Sequence, residues 1–188
     1  MNKRLLVDYI RFYSGVLSVA QCDALINRFE SDTQHHDVRR IEDGYSFVQL
    51  DVTTAWPEVD AEVERILNES YRKYWAELRL GECWPSSFVY EHLRMKRYMP
   101  DGRDNFPPHV DVTDQETSTR FVTAIVYLND PGGGGETVFP ELGVKMSPRP
   151  GNIILFPPLW TFPHAGLPPH NKPKYILHSY LRYAPTIR

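Results

Sequence analysis

The sequence predicts a mainly β protein of the α+β class, an antiparallel double-sheet sandwich or jelly roll with N-terminal helices covering one sheet. Three observations carry this reading. About the first 80 residues hold two stretches of helical periodicity, whereas beyond about residue 86 the chain reads as short alternating apolar runs broken by Pro and Gly. Nine of the 16 prolines lie from Pro148 onward, and each costs a helix interior roughly 3 kcal/mol, which excludes long helices there. Short strands with no helices between them pair antiparallel and bury a face against a second sheet.

The elements follow in order. In "SVAQCDALINRF", Ser18 and Gln21 form a capping box, and Cys22, Leu25, Ile26 and Phe29 keep the i, i+3, i+4, i+7 spacing of an amphipathic helix. A second helix starts near Pro57, a residue suited to a first turn, and runs through Val59, Val63, Ile66, Leu67, Tyr74 and Leu78 with charges on its other face. The strand candidates are "SFVYEHLRMKRYM", "HVDV", "RFVTAIVYL", "ETVF", "NIILF" and "KYILHSYLRY". Segments such as "NDPGGGG" and "SPRPGN" supply the turns between them.

At 188 residues the chain suits one domain, helical over about 1–85 and jelly roll over about 86–188. Its 21 basic and 24 acidic residues leave a formal charge of −3, which argues against an electrostatic grip on nucleic acid or an anionic membrane. No run approaches the roughly 20 apolar residues that spanning a bilayer needs. The opening "MNKRLLVDYIRFYSG" is basic like a signal peptide, but Asp8 and Arg11 interrupt its apolar part, so a soluble, cytoplasmic protein is expected. Cys22 and Cys83 stand in unrelated contexts and indicate neither a disulfide framework nor a zinc site.

Chemistry concentrates at "FPPHVDVTD". On a strand, side chains at i and i+2 share a face, so His109 and Asp111 would project together as two potential metal ligands. A lone His-x-Asp is weak in a chain with seven histidines. His35 and His36 sit in a polar helix-to-strand connection, and His92 on an exposed or mouth-lining strand. His164 is more suggestive: it follows a buried-looking strand and precedes the small pair Ala165 and Gly166, which permit close approach. It reads equally as a core histidine satisfied by backbone groups. Ten residues later comes Lys174, on a strand face shared with Ile176, His178 and Tyr180. A lysine there is costly to bury without an anion, unless it snorkels to the surface.

These residues resemble the iron(II)- and 2-oxoglutarate-dependent oxygenases, in the prolyl-4-hydroxylase-like branch. The resemblance rests on "RYMPDGRDNFPPHVDV", "FVTAIVYLNDPGGGGETVFPELG", "GNIILFPP" and "HAGLPPHNKPKYIL", in that order, over roughly residues 88–183, with "LSVAQCDALI" similar to the family's opening helix. It implies a double-stranded β-helix in which His109, Asp111 and His164 form a two-histidine, one-carboxylate triad on Fe(II), leaving open positions. It also implies that 2-oxoglutarate pairs its far carboxylate with Lys174. Tyr98 and Thr137 would contact the same cosubstrate, although Tyr98 lies eleven residues before His109, two more than the familiar spacing, and Phe106 stands where a tyrosine is common. The implied reaction uses O2, with ascorbate as a supporting reductant, and releases succinate and CO2 while hydroxylating an unactivated C–H bond. Asp111 distinguishes the chain from halogenating relatives, which carry a small residue at that position. The expected substrate is a small molecule or short peptide, with a prolyl residue or a free amino acid foremost.

Other features have plainer readings beside functional ones. The run of glycines at 132–135 lacks the Lys-Ser/Thr of a phosphate loop and reads as a permissive turn. Arg94, Lys96 and Tyr98 share a strand face that could meet an anionic substrate or solvent. "TDQETSTR" suits a substrate lid or an exposed turn, and Trp160 and Phe162 suit a pocket wall or core packing. Two other functions compete with the oxygenase: a cupin-like metal-dependent isomerase or dioxygenase that uses no 2-oxoglutarate, and a non-catalytic peptide-binding module on the same fold. Lys174 discriminates the first pair, because only the oxygenase needs an anchor for a dicarboxylate.

Overall fold

The structure, a computed structural model, describes residues 4–40 and 46–185. The first three residues of the basic opening segment lie outside them. In chain order the described elements are β1 (Arg11–Tyr13), α1 (Val19–Ser31), β2 (Asp37–Arg40), β3 (Ser46–Asp51), α2 (Val52–Ala55), α3 (Pro57–Glu77), β4 (Phe88–Tyr90), β5 (Arg94–Tyr98), β6 (Phe106–His109), β7 (Arg120–Tyr127), β8 (Thr137–Phe139), β9 (Val144–Met146), β10 (Asn152–Phe156), β11 (His164–Gly166) and β12 (Lys174–Tyr183).

Strands β1-β10-β7-β12-β5-β3-β2 form the larger sheet in that order, with β4 joined to the far end of β12, and β6-β11-β8-β9 form the smaller one. All pairings between these strands are antiparallel. The two sheets face each other as a jelly roll.

Strand parity explains how the layers adhere. The central strands of the larger sheet are buried on both faces, so they read as nearly continuous apolar runs. Ile153 and Leu155 of β10, Val122, Ala124 and Val126 of β7, and Tyr175, Leu177 and Leu181 of β12 point outward to Phe29 of α1 and Val63, Leu67, Tyr71 and Tyr74 of α3. The alternate residues, Ile154, Phe156, Ile125, Tyr127 and Ile176, point inward and meet Phe139 and Phe162 from the smaller sheet's side. The helices therefore cover one sheet, as the sequence predicts.

Local signals place those helices. The Ser18 hydroxyl accepts from the Gln21 N–H while the Gln21 side chain accepts from the Ser18 N–H, closing the expected capping box. Pro57 opens α3, whose first turn also carries Glu58 and Asp60, favourable at the positive end of a helix. Polar contacts tie α1 to the sheet, because Glu30 accepts from both Tyr175 and Arg97 at 2.9 Å. Among the described residues no helix is long and apolar enough to cross a membrane.

Two strand expectations are corrected. The "HVDV" strand does not form: the strand is β6 and ends at His109. Pro107 and Pro108 fit there because β6 is an edge strand of the smaller sheet, where missing N–H groups cost little. Beyond it the Asp111 N–H turns away to donate to the Pro158 carbonyl at 3.1 Å. The long run 87–99 is likewise two strands, because Glu91 and Leu93 bond to different partners, Tyr180 and Val52. Strands β1, β2 and β3 add to the helical half a part of the larger sheet that periodicity did not reveal.

Candidate metal centre

His109 and His164 are direct partners in the register of β6 with β11. Their ring centroids are 4.3 Å apart. Asp111 reaches between them from the turn after β6, with Oδ1 at 3.5 Å from His109 Nε2 and Oδ2 at 3.7 Å from His164 Nε2. One ligand atom from each residue lies within 4.8 Å of the other two, an arrangement that could hold a metal ion.

Hydrogen bonding readies these atoms. His109 Nδ1 lies 2.8 Å from the Pro107 carbonyl, and His164 Nδ1 lies 3.1 Å from the Phe162 carbonyl. A carbonyl only accepts, so each Nδ1 carries a hydrogen, which leaves Nε2, the nitrogen on the Asp111 side, as the one that would meet a metal. Burial holds His164 down at about 4, so it is neutral at physiological pH. Burial works against the Asp111 charge, but hydrogen bonding keeps its carboxyl far below the usual range. Tyr180 donates to Asp111 Oδ1 and Thr123 to Oδ2, both at 2.8 Å. These two hydroxyls stand opposite each other in the β7–β12 register and clamp the carboxylate between the strands. Two histidines and one carboxylate on one side of a pocket suit a divalent first-row metal such as iron(II) with positions left open.

The pocket encloses about 480 Å³, part of it open to solvent. Its far end from the triad holds Lys174, which is 3% exposed. The Lys174 ammonium donates to the Gly135 carbonyl at 3.1 Å and lies 4.6 Å from the centre of the Tyr98 ring, its register partner on β5. Gly135 adopts φ +75°, a conformation that suits glycine, and this directs its carbonyl at the lysine. A Cβ on Gly166 would sit 3.6 Å from Lys174 Nζ, so the missing side chain keeps the space beside the ammonium open. Burial is the main influence on Lys174 and lowers it to about 7. Thr137 is buried in the same wall, its oxygen accepting from the Tyr127 hydroxyl at 2.7 Å, which leaves its own O–H free to donate into the pocket.

All six residues singled out from the sequence, His109, Asp111, His164, Lys174, Tyr98 and Thr137, line this one pocket. Sequence reasoning did not single out Tyr127 and Thr123, noted His178 and Tyr180 only as sharing a strand face, and placed Lys96 on a face that could meet an anionic substrate or solvent. The last three carried the available signal, since parity on β5 and β12 places them beside Tyr98 and Lys174. Other readings part company with the pocket. His92 is exposed and bonds to Asp51 at 2.9 Å. Phe162 is buried in the core between the sheets, whereas Trp160 is 79% exposed and belongs to neither wall nor core. The loop at 113–120 is closed on itself through Asp114 and Thr117.

Comparison with known proteins agrees with this geometry. The sequence profile described as the 2OG-Fe(II) oxygenase superfamily matches residues 93–182. The chain is 29% identical over 188 aligned residues to the multifunctional procollagen lysine hydroxylase and glycosyltransferase LH3 of Homo sapiens, covering 90% of this chain and 23% of that protein. It is 28% identical to a putative prolyl 4-hydroxylase of Acanthamoeba polyphaga mimivirus, covering 49% of this chain and 45% of that protein. The chain thus spans less than half the length of these curated relatives. Among solved structures, the viral collagen prolyl hydroxylase vCPH from Paramecium Bursaria Chlorella virus-1, as its 2OG complex, superposes with a TM-score of 0.68 at 26% identity, over 94% of this chain and 97% of that one.

Proposed function

We propose, from the match of residues 93–182 to the 2OG-Fe(II) oxygenase superfamily and from the site's geometry, that the chain is an Fe(II)- and 2-oxoglutarate-dependent hydroxylase acting on an unactivated C–H bond. The observation that carries this is one pocket holding both a convergent His-Asp-His set and, at its other end, a buried ammonium.

His109, Asp111 and His164 would hold the iron. Their donor chemistry fits it: two imidazole Nε2 lone pairs, each fixed by an Nδ1 hydrogen bond, and an ionised carboxylate clamped by Tyr180 and Thr123. With oxoglutarate and O2 bound, the iron supplies the oxidative chemistry in which oxoglutarate becomes succinate and CO2 and the substrate gains a hydroxyl. Lys174 holds the far carboxylate of oxoglutarate as a charge-assisted partner, replacing the anion that its burial otherwise lacks. Thr137 donates to the same carboxylate, aligned by the Tyr127 hydroxyl, and Tyr98 packs its ring against the Lys174 ammonium. Phe139 and Phe156, buried and packed against the His164 ring, keep water from that side of it. The relatives' names concern prolyl and lysyl hydroxylation, and a prolyl residue in a peptide or a free amino acid is the substrate class that the reading entails.

The test is succinate release from oxoglutarate with added iron and ascorbate. Lys174→Ala is expected to abolish oxoglutarate-dependent turnover while metal remains bound. Product of the same mass formed without oxoglutarate would instead support a cupin-like enzyme.

A further inference from the structure

Among the charged residues lining the pocket, Asp111 and Lys174 have partners in the oxygenase reading and Lys96 has none. Its side chain is only 8% exposed. The ammonium lies 5.1 Å from the ring centre of Phe47 and 5.4 Å from that of Phe106, and it makes no hydrogen bond or ion pair among the described residues. On β5 it stands one same-face step from Tyr98, towards the metal end, and it faces Ile176 across the register. That step is about 6.8 Å along a strand. Lys96 therefore lies between the Lys174 end of the pocket and the His178 and Tyr180 end.

Charge matching makes this position informative. In the loaded pocket, the two positive charges of iron(II) and the one of Lys174 are matched by Asp111 and the two carboxylates of oxoglutarate. Lys96 remains as an unmatched buried cation, which is costly unless another anion arrives. In the protein alone Asp111 is the anion that favours its charge, while burial lowers it to about 8. The metal claims that carboxylate. Outside the pocket lining, Arg120, Arg94 and Arg182 share the single carboxylate of Glu91 at 2.6, 3.5 and 3.9 Å, which leaves positive charge in excess there. Arg120 also covers the ring of Tyr180 at 3.9 Å. Such an excess draws anions inward.

We infer that Lys96 recognises a carboxylate on the substrate, so that the molecule hydroxylated is a free amino acid or a free chain end and not a residue within a peptide. This rests on the oxygenase reading and narrows its substrate class. Lys96 is then a specificity residue, separate from the oxoglutarate anchor.

The experiment has two arms, run on wild type, Lys96→Met and Lys96→Gln, the last so that the conclusion does not depend on one variant folding. In the first, oxoglutarate binding to the Mn(II)-loaded protein is measured by calorimetry. In the second, succinate release by the iron-loaded protein is measured with each free amino acid, with short peptides ending in each, and with the C-terminal amide of every one. The expected result is an oxoglutarate Kd within about threefold of wild type in both variants. At least one free acid should exceed its amide by about tenfold in wild type, and that preference should disappear in the variants, as for loss of one buried charge pair. A panel in which no free acid exceeds its amide overturns the inference, and so does a tenfold weakening of oxoglutarate, which would make Lys96 part of the cosubstrate site. Wild type that binds no oxoglutarate overturns the oxygenase reading and this inference with it.

Discussion

Thr123 and Tyr180 are register partners on β7 and β12, and their hydroxyls hold the two oxygens of the same carboxylate, Asp111. The carboxylate's orientation is thus set by the larger sheet, although both histidines come from the smaller one. Removing either hydroxyl leaves the carboxylate freer to rotate. Tyr180→Phe and Thr123→Val are each expected to weaken Mn(II) binding by about 10- to 100-fold with little change in fold, as measured by calorimetry.

Asp111→Asn keeps the shape of that side chain and removes its charge. It is expected to reduce metal affinity by at least about 100-fold, more than either hydroxyl variant, and to stop succinate release. Metal titration alongside circular dichroism separates this from unfolding. Retention of wild-type affinity would exclude Asp111 as a ligand.

Lys174 gives a pH dependence with a definite sign. Burial brings its ammonium down to about 7 in the protein alone, and a bound carboxylate would raise it again. Oxoglutarate binding should therefore take up a proton above that pH, and its affinity should fall towards tenfold per pH unit from about pH 7 upward. Below that pH, Lys174 is already charged and its contribution levels off. Lys174→Arg stays protonated throughout and should flatten the alkaline limb in calorimetric titrations.

Gly151 offers a test of the fold itself. It adopts φ +74°, and a Cβ there would lie 1.9 Å from the Leu17 carbonyl oxygen. Its own carbonyl accepts from the N–H groups of Val16 and Leu17, fastening the entry to α1 against the start of β10. Gly151→Ala combines left-handed strain with a backbone clash and is expected to cost about 3 kcal/mol or more, read from the urea midpoint.

Much of the site was legible because strand parity is a strict rule. Lys174, Ile176, His178 and Tyr180 alternate in the sequence and line the pocket together in the structure. His164 was ambiguous by itself, and its placement opposite His109 depends on a pairing between distant strands that periodicity does not encode. The same holds for Thr123 and Tyr127, whose roles arise from cross-strand neighbours. The sequence misplaced the strand at Asp111 because alternating valines imitate one, while the backbone there is already committed to Pro158 and Arg120. Strands β1 and β2 escaped notice because they are short, and β2 is exposed throughout. Nothing apolar in β2 betrays a buried face.

Residues 174–181 of β12 serve two compartments in alternation, Lys174, Ile176, His178 and Tyr180 facing the pocket and Tyr175, Leu177 and Leu181 facing the helices. Deleting a single residue early in that strand would exchange the two sets downstream of the cut. Aliphatic groups would then be thrust into the cavity, and an imidazole and a phenol would be driven under the helical cover. Such a lesion would wreck chemistry and cohesion together, so this stretch should accept replacements yet reject any change of length.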